Sequence, residues 1–428
     1  MAPMENWDVI VVGGGAAGLL AAASAAARGK RTLLLEKNNK LGVKILMSGG
    51  TRCNITHECD ARGISDRFGT KGKNSQGQFL RSALGSLPPS EVIRIVESHG
   101  VPTKVESTGK IFPVSDRAID VRDALVDFAR QSGAILEKGQ GVESVNFVDG
   151  RFEIETTAET HVAPSVIITT GGQSYPGCGT TGDGYAWAKK FGHSIVPPVP
   201  ALTPVRTTTE WAKEIKGITI EDVAIKVLEP DNGKPNDSNP GKASELRSAR
   251  GSFLFTHFGF SGPAPLNVSR AIARHDRQNT LTLECDFSPC ENPDVLRTEW
   301  KSRFQSRGKQ SVGNTMAELF PRRLAESFLK TANIDAQKKC AELSKADLNQ
   351  LIKAVKQLQF PVSGVLGFKK AEVTAGGVAL AEVNSRTMES KLQAGLFFAG
   401  EVLDIDGPIG GFNFQAAFST GWLAGQRC

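Results

Sequence analysis

The N-terminal stretch up to Glu36 contains the pattern that most constrains how this chain can fold. Val9 to Val12 is a short β-branched run, which predicts a strand buried on both faces. A G-x-G-x-x-G sequence, an alanine-rich helix, a second apolar strand and an acidic residue follow in that order. The glycines are Gly13, Gly15 and Gly18, and the helix runs from about Ala16 to Gly29. The second strand is Arg31 to Leu35, and the acid is Glu36. This order predicts a βαβ unit of the Rossmann type, which binds a dinucleotide.

Each part of this turn has a physical task in holding a pyrophosphate. Gly13 permits the tight turn, Gly15 lets the backbone approach the phosphates, and Gly18 lets the helix pack on the strand. The helix N-terminus offers free N–H groups and the positive end of its dipole. Glu36 can accept hydrogen bonds from ribose hydroxyls and would repel a 2′-phosphate, which favours FAD or NAD over NADP. The predicted contacts of this segment are Gly13, Gly15, Ala16, Ala17, Gly18, Glu36 and Lys37.

The C-terminal segment favours FAD over NAD. Gly395 to Ala399 reads as a short apolar strand that runs into Gly400 and Glu401, and a glycine-rich turn and an alanine-rich helix follow. In such an arrangement the acid accepts from the ribityl chain, and the helix N-terminus faces the flavin edge where charge accumulates. The two ends together predict non-covalently bound FAD. The predicted contacts here are Gly400, Glu401, Asp404, Gly410, Gly411, Phe412, Asn413 and Gln415, with capping of the next turn as the alternative for Asp404.

A second G-x-G-x-x-G occurs at Gly177, Gly179 and Gly182, but its surroundings do not form a second nucleotide domain. Residues 171–176 separate it from the preceding strand, and no strand ending in an acid follows its helix. The pattern favours a loop of the FAD domain, in which Gly171 is a predicted cofactor contact. NAD(P)H, if it is the electron donor, is therefore expected to bind transiently beside the flavin.

The stretch SGGTRCNITHEC, from Ser48 to Cys59, could hold a redox disulfide, a metal ion or a cofactor. Five residues separate its two cysteines, which is unfavourable for a dithiol beside flavin, and no paired Cys or His spacing supplies a zinc site. We therefore predict no metal and interpret the stretch as part of the FAD cradle, with Cys53 as a small buried side chain near the ring. The remaining predicted FAD contacts are Lys44, Ser48, Gly49, Gly50, Arg52, Cys53 and Val142.

Composition limits the compartment and the partners. The net charge of +6 is a mild excess, and no basic stripe is interleaved with aromatic residues, so no nucleic-acid partner is expected. Seven cysteines without regular spacing favour a reducing compartment. The apolar run from Val9 to Ala27 lacks a basic flank and contains three consecutive glycines, which argues against a signal peptide or a membrane span. A cytoplasmic protein with a small-molecule substrate is expected, and either a monomer or a homodimer is open.

Prolines and composition divide the chain into five predicted parts. Residues 1–196 form the first segment of the FAD domain, and the prolines from Pro197 to Pro204 indicate a crossing into another domain. Residues 197–292 read as an inserted β domain, 293–355 as a helical subdomain, 356–369 as a return strand, and 370–428 as the second FAD segment. The polar stretch from Pro230 to Ser244 predicts a mobile surface loop.

Motifs along nearly the whole chain resemble one family of bacterial flavoproteins. They include GVKILMSGGTRCNIT, GKIFPVSDRAIDV, TTGGQSYPGCGTTGDGYAWAKKFGH, FLFTHFGFSGPAPL and AGLFFAGEVLDIDGPIGGFNFQAAFSTG. The chain is similar to NAD(P)/FAD-dependent oxidoreductases that include 3-dehydro-bile acid Δ4,6-reductase-like and aminoacetone oxidase-like proteins. The resemblance implies an α/β fold: a glutathione-reductase-like FAD-binding Rossmann domain in two chain segments, with an inserted small β-barrel-like domain that carries a helical subdomain. One departure is Thr51, which stands where the family loop usually has a third glycine.

The resemblance implies three loops around the flavin and leaves the substrate open. The expected activity is hydride transfer from NAD(P)H through flavin N5 to a small organic acceptor with an activated or carbonyl-conjugated C=C bond. Such a reduction needs a proton donor, and Tyr175 and His257 are the candidates for it, each with structural packing as its alternative. An oxygen-using amine or aminoketone oxidase, an RNA-binding flavoprotein and a non-catalytic FAD-binding protein are the other hypotheses.

Overall fold

The computed structural model describes residues 7–69, 75–230 and 243–428. These residues form two compact units, one of residues Met1–Ala201 and Phe368–Cys428 and the other of Leu202–Gly367. The first unit is thus built from two distant parts of the chain. Most of the predicted polar loop at 230–244 lies outside the described residues.

The helices and strands follow one another in three stretches of chain. The first contains β1 (Val9–Val12), α1 (Ala16–Ala26), β2 (Thr32–Glu36), α2 (Val43–Met47), β3 (Thr56–His57), α3 (Ala61–Ser65), α4 (Ser75–Ser86), α5 (Pro89–Ser98), β4 (Thr103–Val105), β5 (Lys110–Pro113), α6 (Ala118–Gln131), β6 (Ile135–Lys138), β7 (Val142–Val148), β8 (Arg151–Thr156), β9 (Thr160–Ala163), β10 (Ser165–Ile168), α7 (Asp183–Lys190) and β11 (Ile195–Ala201). The second contains β12 (Val205–Thr207), α8 (Glu210–Glu214), β13 (Thr219–Glu229), β14 (Ser244–Thr256), β15 (Gly259–Ser261), α9 (Pro263–Ala273), β16 (Thr282–Asp286), α10 (Pro293–Ser306), α11 (Val312–Ala317), α12 (Arg322–Thr331), α13 (Lys345–Lys356) and β17 (Leu358–Val365). The third returns to the first unit with β18 (Val373–Val378), β19 (Leu396–Phe398) and α14 (Phe412–Arg427).

A five-stranded parallel sheet in the order β19-β10-β1-β2-β6 forms the centre of the first unit. Every residue of β1 and β2 is buried, because helices and loops cover both faces of the sheet. The strand β1 lies between β10 and β2, so its carboxyl end meets the ends of strands on both sides. Ligands of parallel α/β sheets bind at this edge. The sheet confirms the predicted Rossmann-type domain.

The apolar N-terminal run forms β1 and α1 inside this core. α14 packs against α1 closely enough that a Cβ added at Gly421 would lie 2.1 Å from the Ala17 carbonyl oxygen, and one at Gly425 would lie 2.3 Å from that of Ala21. These two glycines therefore allow the C-terminal helix to reach the Rossmann helix. Within the described part of the chain, no helix combines the length and the apolar character needed to cross a bilayer.

The second unit contains a closed six-stranded barrel in the order β12-β15-β14-β13-β16-β17. Phenylalanine rings fill its interior: Phe253 and Phe260 lie 4.9 Å apart, Phe260 and Phe360 lie 4.6 Å apart, and all three are wholly buried. Helices α10 to α13 bury their apolar faces in the same core cluster. The barrel and its helices confirm the predicted small β-barrel-like domain with a helical subdomain.

The proline-rich stretch differs from its predicted role as a simple crossing. Pro197 and Pro198 lie within β11, which pairs with β18 and has a register irregularity between Val196 and Val199. Proline is tolerated in a strand at such an irregularity because it has no N–H to donate. The change from one unit to the other comes after Ala201. The sequence pattern missed this strand because proline usually marks a break.

Candidate cofactor site

The three glycines of the first turn have three different surroundings. Gly13 has a φ of +107°, and a Cβ there would lie 2.8 Å from the Thr169 carbonyl oxygen. A Cβ at Gly18 would lie 1.9 Å from the Gly13 carbonyl oxygen, so the helix could not pack on the turn. A Cβ at Gly15 would meet no atom within 4 Å, and no side chain caps the helix that starts after it. The N–H groups of Ala16 and Ala17 therefore begin a helix whose N-terminus is open to an anion.

The Glu36 carboxylate is held in one orientation at the end of β2. Its Oε2 accepts from the Gly14 N–H at 2.7 Å, and its Oε1 accepts from the backbone and side-chain nitrogens of Asn38 at 2.8 and 2.7 Å. The residue is 8% exposed. A carboxylate has about four acceptor positions, so three donors leave room for a hydroxyl. This geometry fits the predicted role of Glu36 toward a ribose.

The glycine-rich loop after β10 is tied to the residues that follow Glu36. The Lys37 ammonium donates to Thr181 Oγ1 at 2.8 Å and to Asp183 Oδ2 at 2.5 Å. The Asn38 amide donates to the Cys178 carbonyl at 3.0 Å. These hydrogen bonds hold the loop between Gly171 and Gly182 beside the residues that follow β2.

A charged network joins three distant parts of the chain. The Lys44 ammonium donates to Ser174 Oγ at 2.6 Å and to Glu401 Oε2 at 2.5 Å. Glu401 Oε1 accepts from Ser174 Oγ at 2.7 Å and from the Thr374 N–H at 2.9 Å. Both charged side chains are mostly buried, at 23% and 18% exposure. The network brings the predicted contacts Lys44 and Glu401 together and fixes the segment that follows β19.

The loop from Gly49 to Cys53 adopts an unusual run of left-handed backbone. Gly49 and Gly50 have φ values of +55° and +67°, and Thr51 and Cys53 follow with +72° and +62°. Such conformations cost energy for residues other than glycine and are maintained only by surrounding structure. Thr51 therefore adopts the backbone that the missing family glycine would adopt, and it does so under strain.

Cys53 is wholly buried, and burial raises the pKa of its thiol to about 12. The Cys53 thiol is thus protonated and unreactive near neutral pH. Cys59 is partly buried, and both residues are free cysteines. Cys53 is thus a small buried side chain, as predicted, and full burial leaves its thiol no surface for a cofactor.

Arg52 is engaged away from its predicted partner. Its guanidinium donates to Glu106 at 2.7 Å and to Asp116 at 3.3 Å, and it lies 4.1 Å from the centre of the Phe112 ring. The pKa of Arg52 is raised, chiefly by the hydrogen bond to Glu106. Both hydrogen bonds use Nη1 and hold the loop in place, and the predicted contact of Arg52 with FAD stays a prediction.

The N-terminus of α14 follows two glycines that bring it against β3. Gly410 and Gly411 have φ values of +133° and +88°, and a Cβ at Gly411 would lie 2.5 Å from the Thr56 carbonyl oxygen. No side chain caps this helix. Its first N–H groups, beginning at Phe412, therefore present a second anion-favouring helix end in the same unit.

Two predicted contacts on α14 are occupied by the protein itself. Asn413 Oδ1 accepts from the Gly407 N–H at 2.8 Å, and its amide donates to the Gly407 and Pro408 carbonyls, so its side chain shapes the preceding turn. Gln415 is 0% exposed and bonds to Thr56, Leu87 and Ser419. The Gln415 side chain therefore has no exposed surface for a ligand, and a contact of this residue with the cofactor stays a prediction.

The remaining predicted contacts are placed as follows. A Cβ at the buried Gly400 would lie 2.8 Å from the Ala17 Cβ, so this glycine brings the C-terminal segment against α1. Asp404 Oδ1 accepts from the Gly376 N–H at 3.0 Å, so this bond reaches β18 and not the turn that follows Asp404. Val142 begins β7 opposite Thr156. The Ser48 hydroxyl donates to the Ile45 carbonyl at 2.8 Å and so caps α2. Their contacts with FAD stay predictions.

Tyr175 lies in the same unit, on the loop that the network of Lys44 and Glu401 anchors. Its backbone is left-handed, with a φ of +52°, and its N–H donates to the Phe368 carbonyl at 3.0 Å. Burial, and then the nearby Glu372 carboxylate and Cys178, raise the pKa of its phenol. The hydroxyl is therefore protonated near neutral pH and available as a donor. Its catalytic role stays a prediction.

His257 belongs to the second unit. It lies between β14 and β15 on an exposed turn, and its ring contacts that of Phe258 at 4.8 Å between centroids. Its predicted role as a proton donor stays a prediction.

Sequence reasoning missed His57, although the residue stands in the loop that it singled out. The His57 ring stacks on Phe412 at 4.8 Å, and its Nδ1 lies 3.2 Å from the Gly410 carbonyl. Burial lowers the pKa of this imidazole, so it is neutral at pH 7. The Gly410-Gly411-Phe412 sequence was the available signal for a close approach at the C-terminal turn. Only the fold shows that β3, which carries His57, is the segment that approaches this turn.

These surroundings fit FAD. The open position at Gly15, the uncapped starts of α1 and α14, and the fixed carboxylate of Glu36 are the features that a flavin dinucleotide requires, and all belong to the first unit. Gly13, Gly15, Gly18 and Glu36 would hold the nucleotide end. Gly410 and Gly411 would let the start of α14 approach the flavin end.

Comparison with known proteins agrees with this assignment. Residues 7–427 match the family model described as HI0933-like protein Rossmann domain. The chain is 32% identical over 426 residues to a protein of Escherichia coli K12 named ribosomal RNA dihydrouridine synthase, covering 99% of this chain and 98% of that protein. A Haemophilus influenzae protein of the same name is 31% identical over 92% of this chain and 91% of its own length. The 3-dehydro-bile acid delta(4,6)-reductase of Clostridium scindens is 29% identical and is covered to 92%, as is this chain.

The match to the family model spans almost the whole chain, and the glycines and acids of the cradle lie within it. The resemblance stated from the motifs is confirmed, and so are a flavoprotein fold and oxidoreductase chemistry. This chain belongs to the HI0933-like Rossmann-domain family of FAD-dependent oxidoreductases.

Proposed function

We propose that this protein saturates a C=C bond conjugated to a carbonyl group, with a uracil base of ribosomal RNA as the substrate. The observation that carries the proposal is chemical. Dihydrouridine synthesis and delta(4,6) reduction of a 3-dehydro compound, the activities in the relatives' names, both add hydride and proton across such a bond. The expected acceptor, an activated or carbonyl-conjugated C=C, is of the same class.

FAD, when bound, supplies the hydride for such a reduction. The chain must then supply a proton donor and hold the carbonyl-bearing ring in place. Tyr175 carries a protonated phenol on an anchored loop of the cofactor unit and is the proposed donor to the carbon that hydride does not reach. The left-handed backbone at Tyr175 supports this role, since strained non-glycine residues are enriched at functional sites.

The choice of RNA rests on the relatives with the higher identity. Two relatives that are more than 30% identical to this chain carry the ribosomal RNA name, and one is covered over 98% of its length. The sequence expectation of no nucleic-acid partner rested on the small charge excess and on the lack of a basic stripe interleaved with aromatic residues. A charge of +6 is compatible with RNA binding, because a structured substrate can be recognised by few phosphate contacts.

A small conjugated enone is the second candidate, and the Clostridium scindens relative is the observation that favours it. NADH or NADPH is the proposed reductant for either substrate. The acceptor decides between the candidates, because the flavin chemistry is the same in both.

The test is to supply FAD-loaded protein and NAD(P)H, without oxygen, with ribosomal RNA from a strain that lacks this gene. Nucleoside mass spectrometry should then show dihydrouridine at a defined position, and the steroid 3-oxo-Δ4,6 diene should stay unchanged. Reduction of the diene with no change in the RNA would establish the second candidate instead. A flavin that NAD(P)H reduces but that neither acceptor reoxidises would overturn the proposal.

A further inference from the structure

Two strands of the first unit bring together three side chains with metal-ligand atoms. Glu137 lies on β6, the edge strand of the parallel sheet, His161 lies on β9, and Glu159 directly precedes β9. One ligand atom from each residue lies within 4.8 Å of the other two. His161 Nε2 and Glu159 Oε1 are 3.8 Å apart.

Two buried atoms in this cluster have no hydrogen-bond partner. The His161 side chain is 4% exposed, and its Nε2 makes no hydrogen bond. The Glu137 Oε2 atom is also buried without a partner. A buried polar atom without a partner destabilises the folded state, and a charged one does so more strongly. A cation between these atoms would remove both costs.

We propose that Glu137, Glu159 and His161 bind one divalent first-row transition-metal ion. An imidazole with two carboxylates suits Zn²⁺, Mn²⁺ or Fe²⁺, whereas Mg²⁺ prefers oxygen ligands alone. Ligand distances of about 2.0–2.2 Å would place neighbouring ligand atoms roughly 3–3.5 Å apart. The cluster must therefore close by about 1 Å, which the Glu159 side chain can supply because it is 61% exposed.

The site would connect two sheets of the unit. Glu137 belongs to the parallel sheet, and His161 belongs to the three-stranded sheet of β7, β8 and β9. With three protein ligands, the ion keeps a position for water on the exposed side of Glu159. Its role is independent of the reaction proposed above, so either can fail without the other.

The test uses the full-length, FAD-loaded protein after treatment with EDTA and removal of the chelator. Isothermal titration with Zn²⁺ is compared among wild type, Glu159→Gln and the control Glu143→Gln, which makes the same charge change at an exposed position on β7. Wild type and the control should bind one equivalent alike. Glu159→Gln should bind at least about 10-fold more weakly, and Glu159→His should restore tight binding.

Cobalt(II) separates this site from the cysteines. The wild-type cobalt spectrum should show d–d bands without a thiolate charge-transfer band, and Glu159→Gln should lose those bands. Circular dichroism and FAD content show that each variant is folded. Zn²⁺ binding by wild type that is no tighter than binding by Glu159→Gln would overturn the proposal.

Discussion

Gly15 and Gly18 lie three residues apart, yet alanine should affect a different property at each position. It should lower the stability of the fold at Gly18 and the affinity for FAD at Gly15. At Gly18 an added Cβ would be 1.9 Å from the Gly13 carbonyl oxygen. Overpacking of this kind costs about 1–3 kcal/mol of folding free energy. At Gly15 an added Cβ meets no atom within 4 Å, and its backbone is extended, with φ −83° and ψ −166°, which alanine adopts freely. The free energy of unfolding of the apoprotein should therefore change by less than about 1 kcal/mol.

The space beside Gly15 is where the pyrophosphate must lie if the cradle is correctly assigned. A methyl group there would cost at least one hydrogen bond from the backbone to a charged group, about 1.5–3 kcal/mol. Gly15→Ala should thus weaken FAD binding about 10- to 100-fold.

Urea unfolding of the apoproteins, followed by circular dichroism, gives the stability of each variant. Titration with FAD, followed by flavin fluorescence, gives the affinity. Gly15→Ala with wild-type FAD affinity, or with a loss of stability as large as that of Gly18→Ala, would refute the assignment of the cradle.

Three further predictions concern the network and the loops. Tyr175→Phe should slow reduction of the acceptor about 100-fold or more while leaving reduction of the flavin by NAD(P)H unchanged, which stopped-flow absorbance separates; equal slowing of both steps would argue for a structural role. Glu401→Gln removes the negative charge beside the Lys44 ammonium and should cost about 1–3 kcal/mol of unfolding free energy in urea titrations; an unchanged midpoint would contradict this. Burial raises the pKa of the Cys53 thiol from 9.0 to about 12, so its contribution to stability is complete below pH 9 and is lost as pH rises toward 12. Cys53→Ala should therefore lose less stability than wild type between pH 9 and 10.5, by roughly 1–2 kcal/mol, and parallel pH profiles would show that this thiol does not carry the effect.

The nucleotide end of the site could be predicted from sequence because its signals are local. Gly13, Gly15, Gly18 and Glu36 stand in one short stretch, and each has a task that follows from its residue type and spacing. Strand and helix types were also predictable where hydrophobic periodicity was strong. The inserted barrel came from the family resemblance rather than from the strands alone.

The rest depends on contacts between distant residues. Lys44 and Glu401 are 357 positions apart, and nothing in either segment indicates the other. Arg52 was predicted as an FAD contact, and nothing in its stretch of sequence indicates that Glu106 and Asp116 reach it. Gln415 was assigned to the cofactor because the sequence does not show which face of α14 is buried. That face is determined by contacts with Thr56 and Leu87, which lie far away in the chain.

The glycine-rich loop shows the same limit in another way. Gly177 to Gly182 were interpreted as part of a loop because no strand ending in an acid follows the next helix in the sequence. That Lys37 and Asp183 tie this loop to the first turn follows only from the fold. Local sequence therefore defined the type of site, and tertiary contacts defined its members.

Under the proposed function, bound FAD would deliver hydride to a carbonyl-conjugated C=C bond. The most direct test is anaerobic stopped-flow absorbance of the NAD(P)H-reduced holoprotein, mixed with gene-deletion ribosomal RNA or with the dienone. The account predicts that the RNA restores the oxidised flavin spectrum and yields one dihydrouridine for each flavin oxidised. A reduced flavin that only oxygen reoxidises would contradict it.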